Sequence, residues 1–451
     1  MYKTKLSINR FWLLSCFCLT ISQGFSQTNT FSMSLEEAKA YAIENGYASQ
    51  SAKLEVEKSN KKVKETIGTG LPQISGTGNY QRYLKVPLSL IPAAAFGGNE
   101  GEFAEVFLGT KQQMGASIRA DQLIFDGSYF VGLQAAKVYL ELSQNDLAKS
   151  DVEVASMVTE AYGNVLVAEQ NIKILKGNVD NLEKSAFETE ELLKNGFVEE
   201  QDRDQINLTL ASVKNSYENA VRIMEIARNQ LKFILGIDIN STLELTDDLK
   251  IVTSNSTSED YLSTGFNVES HIDYKIVETQ ERASSLLLKQ QKSTALPRLS
   301  AFYSLQTNAY SDEFDFLDNK RFYSGQLIGL NLNVPIFTGF SRTNRIQQAK
   351  IDYQKVNIAK KQVEQQLSIQ AQNAKSQYTF ALSQYNTTED NLELAQRIYN
   401  KTKIKYDEGI STSLDLTQAN DQLLETQGNF INAAFQLITA KSTLDKALNQ
   451  K

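Results

Sequence analysis

The sequence predicts a mainly α-helical chain with a β-barrel part, and three observations predict it. From Leu71 onward the chain is written twice. Leu71-Pro72-Gln73-Ile74-Ser75 returns as Leu296-Pro297-Arg298-Leu299-Ser300, and Phe125-Asp126-Gly127 returns as Phe337-Thr338-Gly339. The register then holds, placing Gly196 on Gly409, Asp202 on Asp415, Gln205 on Gln418, Asn207 on Asn420 and Leu231 on Leu444. A repeat this long is a duplicated half-protein rather than a solenoid unit. The second observation is that each copy holds one stretch, about 128–195 and about 341–408, without Pro or Gly signals strong enough to end a helix. The third is a switch to period-two alternation just ahead of each of those stretches.

Taken in order, the first segment is basic at Lys3, Lys5 and Arg10, apolar from Phe11 to Ile21, and small-residue-rich at Gly24-Phe25-Ser26. That is the pattern of a removable export signal over residues 1–26. Leu13-Leu14-Ser15-Cys16 also offers a poor lipidation site. Loss of three basic residues takes the net charge from −7 to about −10, which argues against a nucleic-acid partner. Both cysteines, Cys16 and Cys18, leave with the signal, so packing alone must hold the mature chain. No later window has 18 consecutive apolar residues, which excludes a helical membrane protein but not a barrel.

The first repeat is read as residues 27–250 and the second as 251–451. Each opens with a short helix, about Ser34 to Thr66 and about Val268 to Ser293. Two strands follow within about 72–125 and about 297–337. In the second copy Leu330, Leu332, Val334 and Ile336 alternate with Asn331, Asn333 and Pro335, and Ala301, Tyr303 and Leu305 with Phe302, Ser304 and Gln306. In the first, Met114, Ala116, Ile118 and Ala120 alternate with Gly115, Ser117, Arg119 and Asp121. The connections, about Pro87 to Gly109 and about Ala309 to Arg321, read as loops. With the strand ends they are rich in Tyr80, Tyr83, Phe96, Phe103, Phe107, Tyr310, Phe314, Phe316, Phe322 and Tyr323, as in aromatic girdles at a membrane interface.

The long helices come next. Val158, Ala161, Val165, Ala168, Ile172, Leu175, Val179 and Leu182 form a heptad seam, and Ala371, Ala374, Tyr378, Ala381, Tyr385, Thr388, Leu392, Ala395, Tyr399, Thr402 and Tyr406 form its counterpart. The tyrosine row reads as knobs packed into a neighbouring helix. Each helix would be about 100 Å long at 1.5 Å per residue, far beyond what a globular core needs. Turns at Gly196 and Gly409 lead into return helices of about 199–235 and about 412–448. Short helices laid end to end would match the long ones, giving a cylinder of helices. Four strands cannot close a barrel in lipid, so spanning strands require several chains to share one.

The export signal, the duplicated halves, Leu-Pro before a strand, the turns Ile124-Phe125-Asp126-Gly127 and Ile336-Phe337-Thr338-Gly339, and Tyr406-Asp-Glu-Gly-Ile-Ser-Thr-Ser-Leu-Asp415 together resemble the TolC-type outer membrane efflux family. The resemblance implies a homotrimer whose twelve-stranded β-barrel lies in outer-membrane lipid, with a long antiparallel α-helical tunnel reaching through the periplasm. It implies a passive exit duct, docked at its tip by a periplasmic adaptor protein that links it to an inner-membrane transporter. The chain would be no enzyme and would need no cofactor. Gly68-Thr-Gly70 and Gly76-Thr-Gly78 lack the Gly-Lys-Ser/Thr continuation of a nucleotide loop.

By the same resemblance the chemistry sits at the two tips. Asp202 and Asp415, each six residues after a turn glycine, would face the pore, with Asp204, Glu199 and Glu200 adding to an acidic ring whose crowded carboxylates should have raised, coupled pKa values. The same aspartates also suit a helix N-terminus. Tyr406 matches a position in the contacts that hold the aperture shut. Two other positions depart from the family: Ser411 stands where some relatives carry arginine, and Gln418 where they carry aspartate, leaving Arg203 or Lys405 as alternative partners. Adaptor docking would involve Gly196, Phe197, Val198, Gly409, Ile410 and Ser411. The only histidine, His271, has no second His and no Cys in the mature chain, so no metal or catalytic triad is expected. The competing reading is a periplasmic coiled-coil scaffold or adaptor without a pore. The cargo, be it drugs, metal ions or proteins, and the identity of pump and adaptor are not written in these residues.

Overall fold

The computed structural model describes residues 30–449 apart from 108, 258–265 and 319–320, so the export signal and its cysteines lie outside the described residues. The described chain runs β1 (Thr30–Met33), α1 (Leu35–Asn45), α2 (Tyr47–Gly68), β2 (Gln73–Arg82), β3 (Leu88–Pro92), β4 (Phe103–Phe107), β5 (Gln112–Asp126), α3 (Gly127–Lys194) and α4 (Glu200–Leu235). It continues with β6 (Thr242–Leu245), α5 (Leu249–Ser256), α6 (Ile272–Ser293), β7 (Arg298–Ser311), β8 (Tyr323–Asn333), α7 (Ser341–Asp407) and α8 (Ser413–Ala447).

The two long helices contain 68 and 67 residues and run unbroken from the sheet to the far tips. α2 and α4 both pack along α3, and α6 and α8 along α7. The short helices meet end to end: Tyr47 at the start of α2 touches Phe233 at the end of α4, with ring centroids 5.9 Å apart. Where α6 begins and α8 ends, the Ile272 N–H donates to Asn449 Oδ1 at 3.3 Å. The tyrosine row is packed as knobs, with Tyr378, Tyr385 and Tyr399 all buried. A polar pair interrupts the apolar seam between the two coiled coils, where buried Asn178 donates to Gln427 at 2.9 Å. Such pairs fix register between helices.

The largest core lies where small elements wrap the four helices. Val158, Tyr162, Leu231, Leu235, Tyr378, Leu437, Ile438 and Leu444 pack there with Ala38, Ala42 and Leu243. Tyr162 donates to the Met33 carbonyl at 3.1 Å and Tyr378 to the Ser256 carbonyl at 2.6 Å, which ties β1 and α5 to the long helices. Burial pushes the Tyr162 hydroxyl well above its ordinary pKa. His271 is buried and caps α6, its Nδ1 accepting from the Asp273 N–H at 3.2 Å, and burial pushes its pKa down. It is a structural residue.

β2, β5, β7 and β8 form one antiparallel sheet in that order, with β2 and β8 as its edges. Directly opposed residues share a face, so the register sorts the side chains. One face carries Ile74, Ile118, Leu305, Ile328, Leu330 and Leu332, all exposed. The other carries mostly Ser, Thr, Asn and Gln, with Leu327, Phe302 and the charged Arg119 and Asp121 among the exceptions. At one end Phe314 and Phe316 fold back edge-on against Tyr80, with centroids 5.5 and 6.1 Å away, burying Phe316 and Ala309.

Four features depart from the sequence reading. The leading helix breaks at Gly46, whose extended backbone (ψ 144°) turns α1 away from α2. The first connection is not a plain loop but holds the antiparallel hairpin β3–β4. β1 and β6 form an unforeseen parallel pair. β8 ends at Asn333, short of Val334, Pro335 and Ile336, because Pro335 has no N–H for a ladder.

Candidate functional site at the helical tips

Both coiled coils turn back in the same way. At the first tip the Phe197 N–H donates to the Leu192 carbonyl at 3.0 Å and the Gly196 N–H to the Leu193 carbonyl at 2.9 Å. At the second the Ile410 N–H donates to the Lys405 carbonyl at 2.7 Å and the Gly409 N–H to the Tyr406 carbonyl at 2.9 Å. This pattern closes a helix with a left-handed residue, and Gly196 (φ +74°) and Gly409 (φ +72°) supply it without the Cβ penalty. The turn pushes Phe197 (77% exposed) and Ile410 (70% exposed) into solvent, with Val198 and Ser411 half-buried beside them.

The paired aspartates stand at the third position of the return helices. Asp415 Oδ2 accepts from the Thr412 N–H at 3.0 Å, the Thr412 hydroxyl at 2.8 Å and the Ser411 hydroxyl at 3.0 Å, while Thr412 Oγ1 accepts from the Asp415 N–H at 3.1 Å. That is a reciprocal capping box. The Thr412 N–H foremost, then the two hydroxyls and the charge of Lys405, hold the Asp415 carboxyl below its ordinary range. In a single chain this is the opposite of the rise that crowded carboxylates predict. The helix-terminus reading of Asp415 therefore describes its local geometry.

Asp202 makes a different set of bonds. Its Oδ2 accepts from the Glu199 N–H at 3.1 Å, and its Oδ1 accepts a short hydrogen bond from the Ser413 hydroxyl on the other tip. Tyr406, half-buried against the Ala395, Tyr399, Leu416, Ala419 and Leu423 cluster, shares a 3.0 Å hydroxyl–hydroxyl bond with Thr189. Burial pushes its pKa up. Lys403 adds a 3.5 Å ion pair to Asp407 and a long one, 4.0 Å, to Glu188. The two coiled coils are thus tied at their ends by Asp202–Ser413 and Thr189–Tyr406.

Arg203 does not cross between tips. It pairs with Asp204 and Glu200 of its own turn, each at 2.7 Å, which neutralises part of the expected acidic field. Ser413 and Thr189 were not singled out from sequence, because a hydroxyl has no signature until the fold supplies its partner. Among the described residues no group of three His, Cys, Asp or Glu side chains is placed to hold a metal, and no helix is long and apolar enough to cross a membrane.

A family model described as outer membrane efflux protein matches residues 42–237 and 276–450. Among solved structures, the chain is similar to CusC, at 16% identity over 94% of both chains with a TM-score of 0.70. It is also similar to VceC from Vibrio cholerae, at 14% identity over 92% of this chain and 96% of that one (TM-score 0.68), and to the CmeC outer membrane channel of Campylobacter jejuni, at 18% identity over 92% and 85% (TM-score 0.69). At such identities the likeness shows a shared fold. No curated protein sequence matches the chain.

Proposed function

The chain belongs to the outer membrane efflux protein family and resides in the outer membrane, and from that premise we propose that three copies form one passive exit duct, docked by a periplasmic adaptor that links it to an inner-membrane pump. The observation that carries the reading is the four-stranded antiparallel sheet, apolar on one face and polar on the other, with β5 running straight into one helix of about 100 Å and β8 leading into another through residues 334–340. Its edges β2 and β8 are open, and an open edge is not tolerated in lipid. An even number of strands lets β8 of one copy run antiparallel to β2 of the next. Three copies then give a closed twelve-stranded barrel with the apolar face in lipid and the polar face lining water.

At the other end Asp202 and Asp415 of three chains form an acidic aperture that attracts cations, to which Asp204, paired with Arg203, adds less. Asp202–Ser413 and Tyr406–Thr189 hold each chain's coiled coils together there. Exposed Phe197 and Ile410, with Val198, Ser411 and the two turn glycines, form the docking surface for the adaptor. What supports this is that both copies present an exposed apolar side chain at the same position, one residue after the turn glycine. No chemistry falls to the chain itself, and energy comes from the pump.

The test is the migration of the purified protein on a gel with and without boiling, together with its mass in detergent. A species of three chains that shifts on boiling is expected. A monomer or dimer that does not shift, and does not enter lipid vesicles, would replace the duct with a periplasmic scaffold.

A further inference from the structure

The polar face of the sheet carries few charges, and each one is matched. Between the ends of the strands its charged side chains, among the described residues, are Arg119 and Asp121. Arg119 Nε and Nη2 donate to the two carboxylate oxygens of Asp121, both at 2.9 Å. At the lower end Arg298 faces Asp126 at 3.6 Å. Every other position between the ends is neutral.

The central pair is seated rather than free. The Arg119 guanidinium lies 4.1 Å over the ring of Phe302 on β7, a cation–π stack that a planar guanidinium suits well. Phe302 stands opposite Asp121 on one side and Gly329 on the other. A Cβ at Gly329 would come within 2.8 Å of the Phe302 ring, so a glycine inside β8 makes room for it. Three adjacent strands therefore contribute to holding one arginine over one aspartate. Stability does not explain this. The two side chains are 43% and 42% exposed, and a pair this solvated contributes little to folding.

We propose that Arg119, clamped on Phe302, is a specificity-determining residue of the barrel section: it masks Asp121 and keeps the lumen wall neutral, so that cargo of either charge passes. The inference rests on the duct reading above, which turns this face toward the lumen. With Arg119 removed, three bare carboxylates would stand at one level and make the barrel a second cation-selective ring. With Asp121 removed, three bare guanidinium groups would favour anions.

The experiment is the reversal potential of single channels in a potassium chloride gradient near 0.01 M, where charges act over about 30 Å. The parent carries Asp202→Asn and Asp415→Asn, so that the tips do not dominate selectivity. Arg119→Gln is expected to shift the cation-to-anion permeability ratio up by about threefold or more, Asp121→Asn to shift it down, and the double variant to restore the parent value. Arg119→Lys keeps the charge without the planar stack and should stay near the parent. Single variants that conduct and shift on boiling like the parent, yet leave the ratio unchanged, would overturn the proposal. Failure of the duct reading appears differently, as no current from the parent itself, and it removes the proposal with it.

Discussion

At the second tip Asp415 gives one oxygen to the N–H and hydroxyl of Thr412 and to the Ser411 hydroxyl, all within its own turn. At the first tip the matched Asp202 reaches the Glu199 N–H with one oxygen and the Ser413 hydroxyl, on the opposite coiled coil, with the other. Backbone geometry is the same in both, down to the two glycines with φ near +73°. Duplication preserved the turn because the turn is a local solution. The use of its carboxylate diverged, because that depends on what the other half presents. Both aspartates cap their own helix through the N-cap N–H, and Asp202 alone also reaches the other coiled coil.

The largest expected effect comes from the side chains behind each turn. Tyr406→Ala removes a half-buried aromatic and the bond to Thr189 and should cost about 2 kcal/mol, while Leu193→Ala at the matching position should cost about 1 kcal/mol; chemical unfolding of the coiled coils would separate them. Equal losses would mean that Tyr406 packs no better than its counterpart. Gly196→Ala and Gly409→Ala test the shared part and should each cost between about 1 and 2 kcal/mol, with no difference between tips. Asp202 and Ser413 should couple by about 1 kcal/mol in a double-mutant cycle, whereas Asp415 and Ser413 should be additive. Additivity for both pairs would erase the asymmetry. Thr412→Ala should cost between about 0.5 and 1 kcal/mol, against a change within about 0.5 kcal/mol for Glu199→Ala, since Thr412 caps with its side chain.

Acid sharpens the contrast with the smallest effect. The folded pKa of Asp415 lies below its unfolded value, so its contribution is present above the ordinary carboxylate range and is lost as pH falls through the folded value. The hydrogen-exchange protection factor at the first turn of α8, taken relative to the intrinsic rate at each pH, should therefore fall below about pH 4. A protection factor unchanged down to about pH 3 would show that the cap contributes nothing. His271 works in another window. Burial lowers its pKa, so the unfolded chain takes up the proton first and the end of α8 loses stability as pH falls below the ordinary imidazole range. His271→Asn should weaken that dependence.

Much of this was legible in the residues. The heptads around Val158 and Tyr378 and the absence of breakers spelled out α3 and α7, and alternation at Leu330–Leu332 and Ala116–Ala120 marked strands. What escaped was non-local or short. β1 and β6 have four residues each and pair across 212 positions, so neither carries a periodic signal of its own. The β3–β4 hairpin hid in a Gly-rich stretch whose aromatics read as loop. Ser413 meets Asp202 across 211 positions, and Arg119 on β5 meets Phe302 on the neighbouring strand β7, which comes from the other half of the chain. Patterns along the chain predict elements; only the fold says which polar groups meet.

In the proposed duct the tips close on two aspartates that play unequal parts. Single-channel conductance in planar bilayers would show this, with wild type set beside Asp202→Ala, Asp415→Ala and the pair. Small, cation-selective currents are expected for wild type, with a clear rise in conductance for Asp202→Ala, a lesser one for Asp415→Ala, and loss of selectivity when both are gone. Equal, open and unselective currents in all four would rule out an aspartate-lined closure.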